Sequence, residues 1–517
     1  MSDIASRKHL REIIIILSLL LIILITVLAT TLELERIPPV WWDEGWTMMV
    51  ARNWVEHGFY GRYLAGQPAP PGLEGHYPVV ASVALSFRFF GTGLWQARLP
   101  GVLYTLGAIG LAFYLAFKLY GAGAAWGTLA ALLLFIGRPE INPLMIGRQV
   151  LGDMPVVFFL LAGYTAFLLS AQVSWVILML AIFFWGLALA TKSQTLPFWL
   201  LATLLPLALL AMQKKRKLFW CLASASLGSV LVYRGILALK EIVLRGYTLL
   251  PEISQGIFYI NAIITDYELR IASIQTVLFF SLAGFIGLAY VMMGVIRNLR
   301  HRGLTDPEEM VAFSLWLLAG SWFAWYLLFS NGGARYLAVP AFLASLFAGK
   351  MLNELSGSFS LRELLRRSAA MVSIRRSDRN GIGAIFVMIL VMFSIPFTLF
   401  TYYAFWKSAD DSAQRLAHQI HTSTAPDDLI ESYDSELLFF LDRPYHYPPD
   451  PQHVALLLRY LRGTQEAVLY DPLVADPDYL VIGDTSRNWR LYEPVLVSGV
   501  FRLIQEEGRY QLYERIR

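Results

Sequence analysis

The sequence predicts an α-helical polytopic membrane protein with about eleven transmembrane helices and a small C-terminal α/β domain. Three observations lead there. The 517 residues are 56% hydrophobic and only 15% charged, with a mean hydropathy of +0.53; a soluble chain of this length needs far more charge to cover its surface. Apolar runs long enough to cross a bilayer recur as far as residue 405. Beyond it Asp, Glu, Arg and Pro become common, and short strand-like runs replace the long apolar ones. The expected division is 1–405 for the transmembrane region and 406–517 for the appended domain. The net charge of +4 is no nucleic-acid signal, because in a membrane protein the distribution of Lys and Arg among the loops carries the information. The single cysteine, Cys221, excludes an intramolecular disulfide and a cysteine-based metal site.

Taken in order, residues 13–30 form an apolar run of about 18 residues after Arg7-Lys8-His9. It is long enough to span, and no small-residue cleavage site follows, so an uncleaved first helix is expected. The first outer loop, about 31–98, carries Trp41-Trp42-Asp43-Glu44-Gly45-Trp46, an amphipathic helix over 47–57 and a Gly/Pro-rich turn at 66–72. Residues 79–90 are apolar but too short for a full span, and read as a juxtamembrane or re-entrant helix. Spans are expected at 99–119, 124–136, 154–171, 175–190, 195–212, 218–239, 274–296, 311–329, 336–352 and 382–405. The second outer loop covers about 138–153. In the tail, 466–470, 479–482, 501–505 and 509–513 have strand character, and 452–461 reads as helical. The basic stretch 362–379 is expected to be poorly ordered.

The positive-inside rule orients the chain. With the N-terminus in the cytoplasm and 79–90 not crossing, Lys118, Lys214-Lys215-Arg216-Lys217, Arg297 to Arg302 and the basic stretch 362–379 all fall inside. Asp43-Glu44, Arg138 to Asp153, Lys192, the segment 240–270, Arg335 and the whole tail then share the outer face. The expected location is the cell membrane, with the C-terminal domain extracytoplasmic.

Several charges on that face are candidates for chemistry. Asp43 has the reading of a helix N-cap, and the tryptophans that of an aromatic belt. An N-cap needs neither a second acid nor three indoles, whereas a carboxylate at the membrane surface suits a general base for a hydroxyl acceptor. Asp153, before Pro155, reads either as another cap or as a second acid with Arg148 orienting it. Lys192 and Arg335 sit at helix ends on the side where cations are disfavoured, which a phosphate ligand explains; Arg234 is of the same type. His76, in His76-Tyr77-Pro78, is a candidate for phosphate or a sugar hydroxyl, though a lone His is more often structural. No metal-ligand spacing, Walker A, GxGxxG or GxSxG motif is present.

Together these residues resemble the GT-C membrane glycosyltransferases, specifically the family 39 branch of protein O-mannosyltransferases and lipid A aminoarabinose transferases. The resemblance rests on Trp41-Trp42-Asp43-Glu44, His76-Tyr77-Pro78, Arg98-Leu99-Pro100, Asp153-Met154-Pro155, the stretch ending Ala190-Thr191-Lys192, and Arg335-Tyr336 with Pro340. It covers about residues 10–350. It departs at Val79, where relatives carry a second Pro, and at His76, where the aminoarabinose branch has Lys. It implies an inverting transfer from a polyprenyl-phosphate sugar to a hydroxyl acceptor on protein, lipid or glycan. In it Asp43 is the base, Glu44 and Asp153 are further acids of the catalytic group, and His76, Tyr77, Arg148, Lys192, Arg335 and Tyr336 serve the donor phosphate or substrate. A divalent metal ion is the one cofactor left open; membrane lipids are expected partners. The alternative is a polytopic transporter or lipid flippase with an extracytoplasmic cap domain, which predicts polar groups near the bilayer midplane and repeated halves.

Overall fold

The computed structural model describes residues 20–70, 74–170, 174–244, 263–301, 303–372, 379–462 and 470–517. The first helix, α1 (Leu20–Thr31), is the described part of the expected 13–30 run; residues 13–19 lie outside. The segment between α1 and the next long helix holds α2 (Trp42–His57), the small hairpin β1 (Tyr63–Leu64) and β2 (Gln67–Pro68), and α3 (Tyr77–Phe90). There follow α4 (Leu94–Tyr120), α5 (Ala122–Leu134), α6 (Asp153–Ser170), α7 (Trp175–Thr191), α8 (Thr195–Met212) and α9 (Arg216–Ala238), the last continued by a π-helical turn, Leu239–Leu244. Then come α10 (Tyr267–Phe280), α11 (Leu282–His301), α12 (Pro307–Phe329), α13 (Ala338–Leu355), α14 (Leu361–Val372) and α15 (Arg379–Lys407).

Eight described helical segments are long and apolar enough to cross a membrane, and α1, α3, α5 and α7 are shorter apolar helices. Large hydrophobic side chains such as Leu103, Leu204, Leu231 and Phe393 stand exposed on their outer faces, as lipid-facing residues do. The chain is an integral membrane protein. Its centre is α13, whose Ala338, Leu343, Ala344 and Ala348 are fully buried. Small residues let neighbours close on it. A β-carbon on Gly127 of α5 would lie 2.5 Å from the Gly349 carbonyl oxygen, and one on Gly287 of α11 would lie 2.5 Å from the Ala348 nitrogen. Such small-residue seams are how helices pack where lipid removes the hydrophobic drive.

Three expectations are corrected. The apolar run 274–296 is not one helix: it breaks at Ser281, between α10 and α11. The halves follow different partners, α10 packing on α12 and α11 on α13, and Arg270 of α10 donates to the Leu327 carbonyl at 3.1 Å near the end of α12. The basic stretch is ordered through 372 as amphipathic α14, where Arg366 and Arg367 pair with Glu363; residues 373–378 lie outside the described chain. Helix α2 begins at Trp42, five residues before the expected start.

The tail forms α16 (Ser412–Ser423), β3 (Ile430–Ser432), β4 (Tyr445–His446), α17 (Asp450–Arg462), β5 (Tyr479–Ile482), β6 (Phe501–Glu507) and β7 (Tyr510–Arg515), in a sheet of order β4-β3-β5-β7-β6. β3 runs parallel to β4 and β5, and the β6–β7 hairpin completes the sheet antiparallel. Of the strand expected at 466–470, residues 466–469 lie outside the described chain.

Candidate active site

Helix α2 places the two acids. Trp41 is its N-cap in extended conformation without a side-chain cap bond, so Asp43 and Glu44 sit in the first turn, near the positive end of the helix dipole. Successive helical residues point about 100° apart, and the two carboxylates meet different surroundings. Glu44, expected beside Asp43 as a catalytic acid, is instead closed off at 0% exposure. Arg98 of α4 grips it with two bonds, Nη2 to Oε2 at 2.7 Å and Nε to Oε1 at 3.1 Å, and the Val150 amide donates to Oε1 at 2.8 Å. Arg98 Nη1 also donates to the Leu34 and Pro38 carbonyls, both at 2.8 Å. A buried, bidentate pair with its remaining groups satisfied holds its geometry firmly. Here it ties α2, α4 and the segment around Val150 together.

Asp43 belongs to a chain of ion pairs. Arg335 Nη1 bonds Asp43 Oδ2, Arg335 Nε donates to Asp153 Oδ2 at 2.9 Å, and Lys192 Nζ bonds Asp153 Oδ1. The geometry follows from the fold. α6 and α7 are neighbours joined by a short connection, so the start of α6, at Asp153, meets Lys192 at the end of α7. Gly332, at φ 74°, turns the chain back after α12, and the 3-10 turn Ala334–Leu337 delivers Arg335 as α13 begins. Exposure divides the chain: Asp153 is fully buried and Lys192 8% exposed, while Arg335 is 25% and Asp43 36% exposed. The Asp43–Arg335 half is the more open one.

Aromatic rings and a histidine flank this half. The Arg335 guanidinium lies 5.4 Å from the centre of the Trp41 ring, and Lys192 Nζ 5.8 Å from that of Tyr336, both within cation–π range. His76 is the N-cap of α3. Its Cδ2 lies 3.5 Å from the β-carbon position of Gly152, next to Asp153. Its side chain is exposed, and desolvation by the neighbouring protein together with the cations Lys192, Lys240 and Arg335 lowers its pKa. His76 is therefore a neutral imidazole at neutral pH. Burial also lowers the Lys192 pKa, against the pull of Asp153.

Two expected site residues are placed elsewhere. Arg148 does not touch Asp153. Fully buried, it donates to the carbonyls of Ile37 at 2.9 Å, Ala29 at 2.8 Å and Leu32, closing the carbonyl end of α1 where helices lack internal partners. Tyr77 packs its ring with Trp54 and Tyr60 at 6.1 and 6.0 Å, in the seam between α2 and α3. Arg234 is exposed on α9, apart from the ion-pair chain.

The C-terminal sheet region supplies a wall that the sequence reading does not identify. The Trp42 ring stacks on His453 at 4.8 Å and 14°, and its Nε1 donates to the Tyr433 carbonyl at 2.8 Å. Arg62 reaches Asp450 with two bonds of 3.0 and 2.7 Å, while its guanidinium covers Trp46. Gly45 is the closest approach, since a β-carbon there would lie 2.3 Å from the Ser435 backbone carbon. The glycine and tryptophans around Asp43 thus pack against the C-terminal sheet region. The only signal for this in the sequence is the excess of indoles and the Gly beside an acidic pair. A separate cavity of about 420 Å³ opens between α2 and residues 438–445, and none of the expected site residues lines it. Among the described residues, no three His, Cys, Asp or Glu side chains come together as metal ligands.

No protein-family model and no curated protein matches the sequence. Among solved structures the chain is similar to ArnT from Cupriavidus metallidurans bound to undecaprenyl phosphate, at 17% identity over 96% of this chain and 98% of that one, with a TM-score of 0.62. The apo state of the same protein matches at 16% identity over 98% of both chains, with a TM-score of 0.60. The Archaeoglobus fulgidus oligosaccharyltransferase in its apo form matches at 11% identity over 92% of this chain and 71% of that one, with a TM-score of 0.55. The chain has the GT-C fold that these membrane proteins share.

Proposed function

We propose that the protein is an inverting glycosyltransferase that moves a sugar from a polyprenyl-phosphate donor to a hydroxyl acceptor at the extracytoplasmic membrane face. One observation carries the reading: a partly exposed carboxylate, Asp43, beside two cations held on a buried acid, in a fold shared with a protein that binds undecaprenyl phosphate. Asp43 takes the proton of the acceptor hydroxyl. The acceptor oxygen bonds to the anomeric carbon from the face opposite the phosphate, and the bond from that carbon to the phosphate oxygen breaks with its electrons on phosphate. Arg335 and Lys192 are preorganised where that negative charge develops, which is what lowers such a barrier. Asp153 fixes both cations, and neutral His76 offers a ring N–H to phosphate or sugar. Glu44, with Arg98, is a positioning residue that sets the angle of α2 and hence of Asp43. The charges group at helix ends and not along helix midpoints, which favours this reading over a transporter.

The test is transfer in lipid nanodiscs from polyprenyl-phosphate-linked sugars extracted from the producing cells. Lys192→Ala is expected to raise the donor KM and lower kcat, together about 100-fold in kcat/KM, with acceptor KM little changed. Unchanged donor kinetics would remove Lys192 from the phosphate site.

A further inference from the structure

We infer that Arg335 holds Asp43 out of action until the donor arrives: the incoming phosphate takes over the exposed edge of the guanidinium and releases the Asp43 carboxylate to the acceptor. The inference rests on the polyprenyl-phosphate reading above and adds a compulsory order to it, donor first and acceptor second.

The two ends of Arg335 differ. Its Nε is bonded at 2.9 Å to Asp153, which is fully buried and also held by Lys192. Its Nη1 bonds Asp43, the most exposed member of the chain. The plane of the guanidinium is steadied by Trp41, 5.4 Å away. A phosphate that approaches therefore meets a cation that is fixed in place, with one anchored partner and one replaceable partner. Arginine presents a planar fork suited to phosphate oxygens, so an exchange of carboxylate for phosphate keeps the guanidinium satisfied. Asp153 keeps both of its cations throughout, and no buried charge is left unpaired.

The exchange changes what Asp43 can do. While its Oδ2 is bonded to Arg335 Nη1 that oxygen is taken, and once phosphate has replaced it on the guanidinium the oxygen is free to accept a hydrogen bond from the acceptor hydroxyl. A hydroxyl that enters early, water included, meets an occupied carboxylate. Once the donor is seated, the base is available next to the anomeric carbon.

The test measures binding of undecaprenyl phosphate to the full-length protein in nanodiscs. If phosphate competes with Asp43 for Arg335, Asp43→Asn removes the competitor and binds undecaprenyl phosphate up to about fivefold more tightly than wild type, the change that a partly exposed charge pair allows. In an Arg335→Ala background the same Asp43→Asn change gives no gain; Arg335→Gln serves if Arg335→Ala does not fold. Equal affinity of wild type and Asp43→Asn overturns the gating, as does the same gain with and without Arg335, which would be plain charge repulsion. Failure of wild type and Asp43→Asn alike to bind undecaprenyl phosphate is a different result. It removes the donor reading underneath, and the gating with it.

Discussion

Asp43 and Glu44 are adjacent, yet one is partly open and paired with Arg335 while the other is sealed against Arg98. Substitution separates them. Glu44→Ala strands the Arg98 guanidinium in a closed site and is expected to cost about 3–5 kcal/mol, read as a large fall in melting temperature and in yield of folded protein. Asp43→Asn breaks only a partly exposed pair, worth about 0–1 kcal/mol, and is expected to melt close to wild type. Equal melting losses for the two would contradict these assignments. The acids, Asp153, Lys192 and Arg335 were legible in the sequence as isolated charges on the face where the basic clusters are absent. Which of two neighbouring carboxylates stays partly open was not. It depends on a helix that starts at Trp42, and that start is set by contacts with Ser435 and Tyr433, nearly 400 residues away.

The helices themselves were legible wherever an apolar run had one set of partners. α8 has the expected bounds, and α6, α7 and α9 lie within a few residues of theirs. The reading failed at Ser281, where an unbroken apolar run serves two partners, because hydropathy records burial in lipid or protein without saying against what. It failed likewise for Arg148, whose charge near Asp153 suggested a pair; its position under α1 is a matter of packing. Arg148→Ala should leave three carbonyls around the end of α1 without their donor and destabilise the fold by roughly 1–3 kcal/mol. Donor KM should stay near wild type in the protein that does fold. A selective rise in donor KM would restore Arg148 to the phosphate site.

At the scale of the whole molecule, the transmembrane and C-terminal parts meet around the motif that carries Asp43. Glu436 lies in that seam, 2% exposed, with Tyr510 donating to it at 3.0 Å. Burial, with Asp434 adding and Arg509 opposing, raises its pKa from 4.5 to about 8. Below pH 4.5 both the folded and unfolded chains hold this proton. Between 4.5 and about 8 only the folded chain holds it, so its contribution to stability falls as pH rises through that window. Glu436→Gln, which mimics the protonated form, should raise the melting temperature by about 2 °C at pH 8 and leave it unchanged at pH 4.5; an equal effect at both pH values would refute the assignment. The topology has its own check: a reporter fused after Arg517 is expected on the extracytoplasmic side, and a cytoplasmic signal would overturn the orientation. The central claim is tested most directly by the release of polyprenyl phosphate from native polyprenyl-phosphate sugars, with acceptor-bearing membranes present, by wild type and by Asp43→Asn in nanodiscs. The account predicts release by wild type and a loss of at least about 100-fold in the folded variant. Release by Asp43→Asn at the wild-type rate would contradict it.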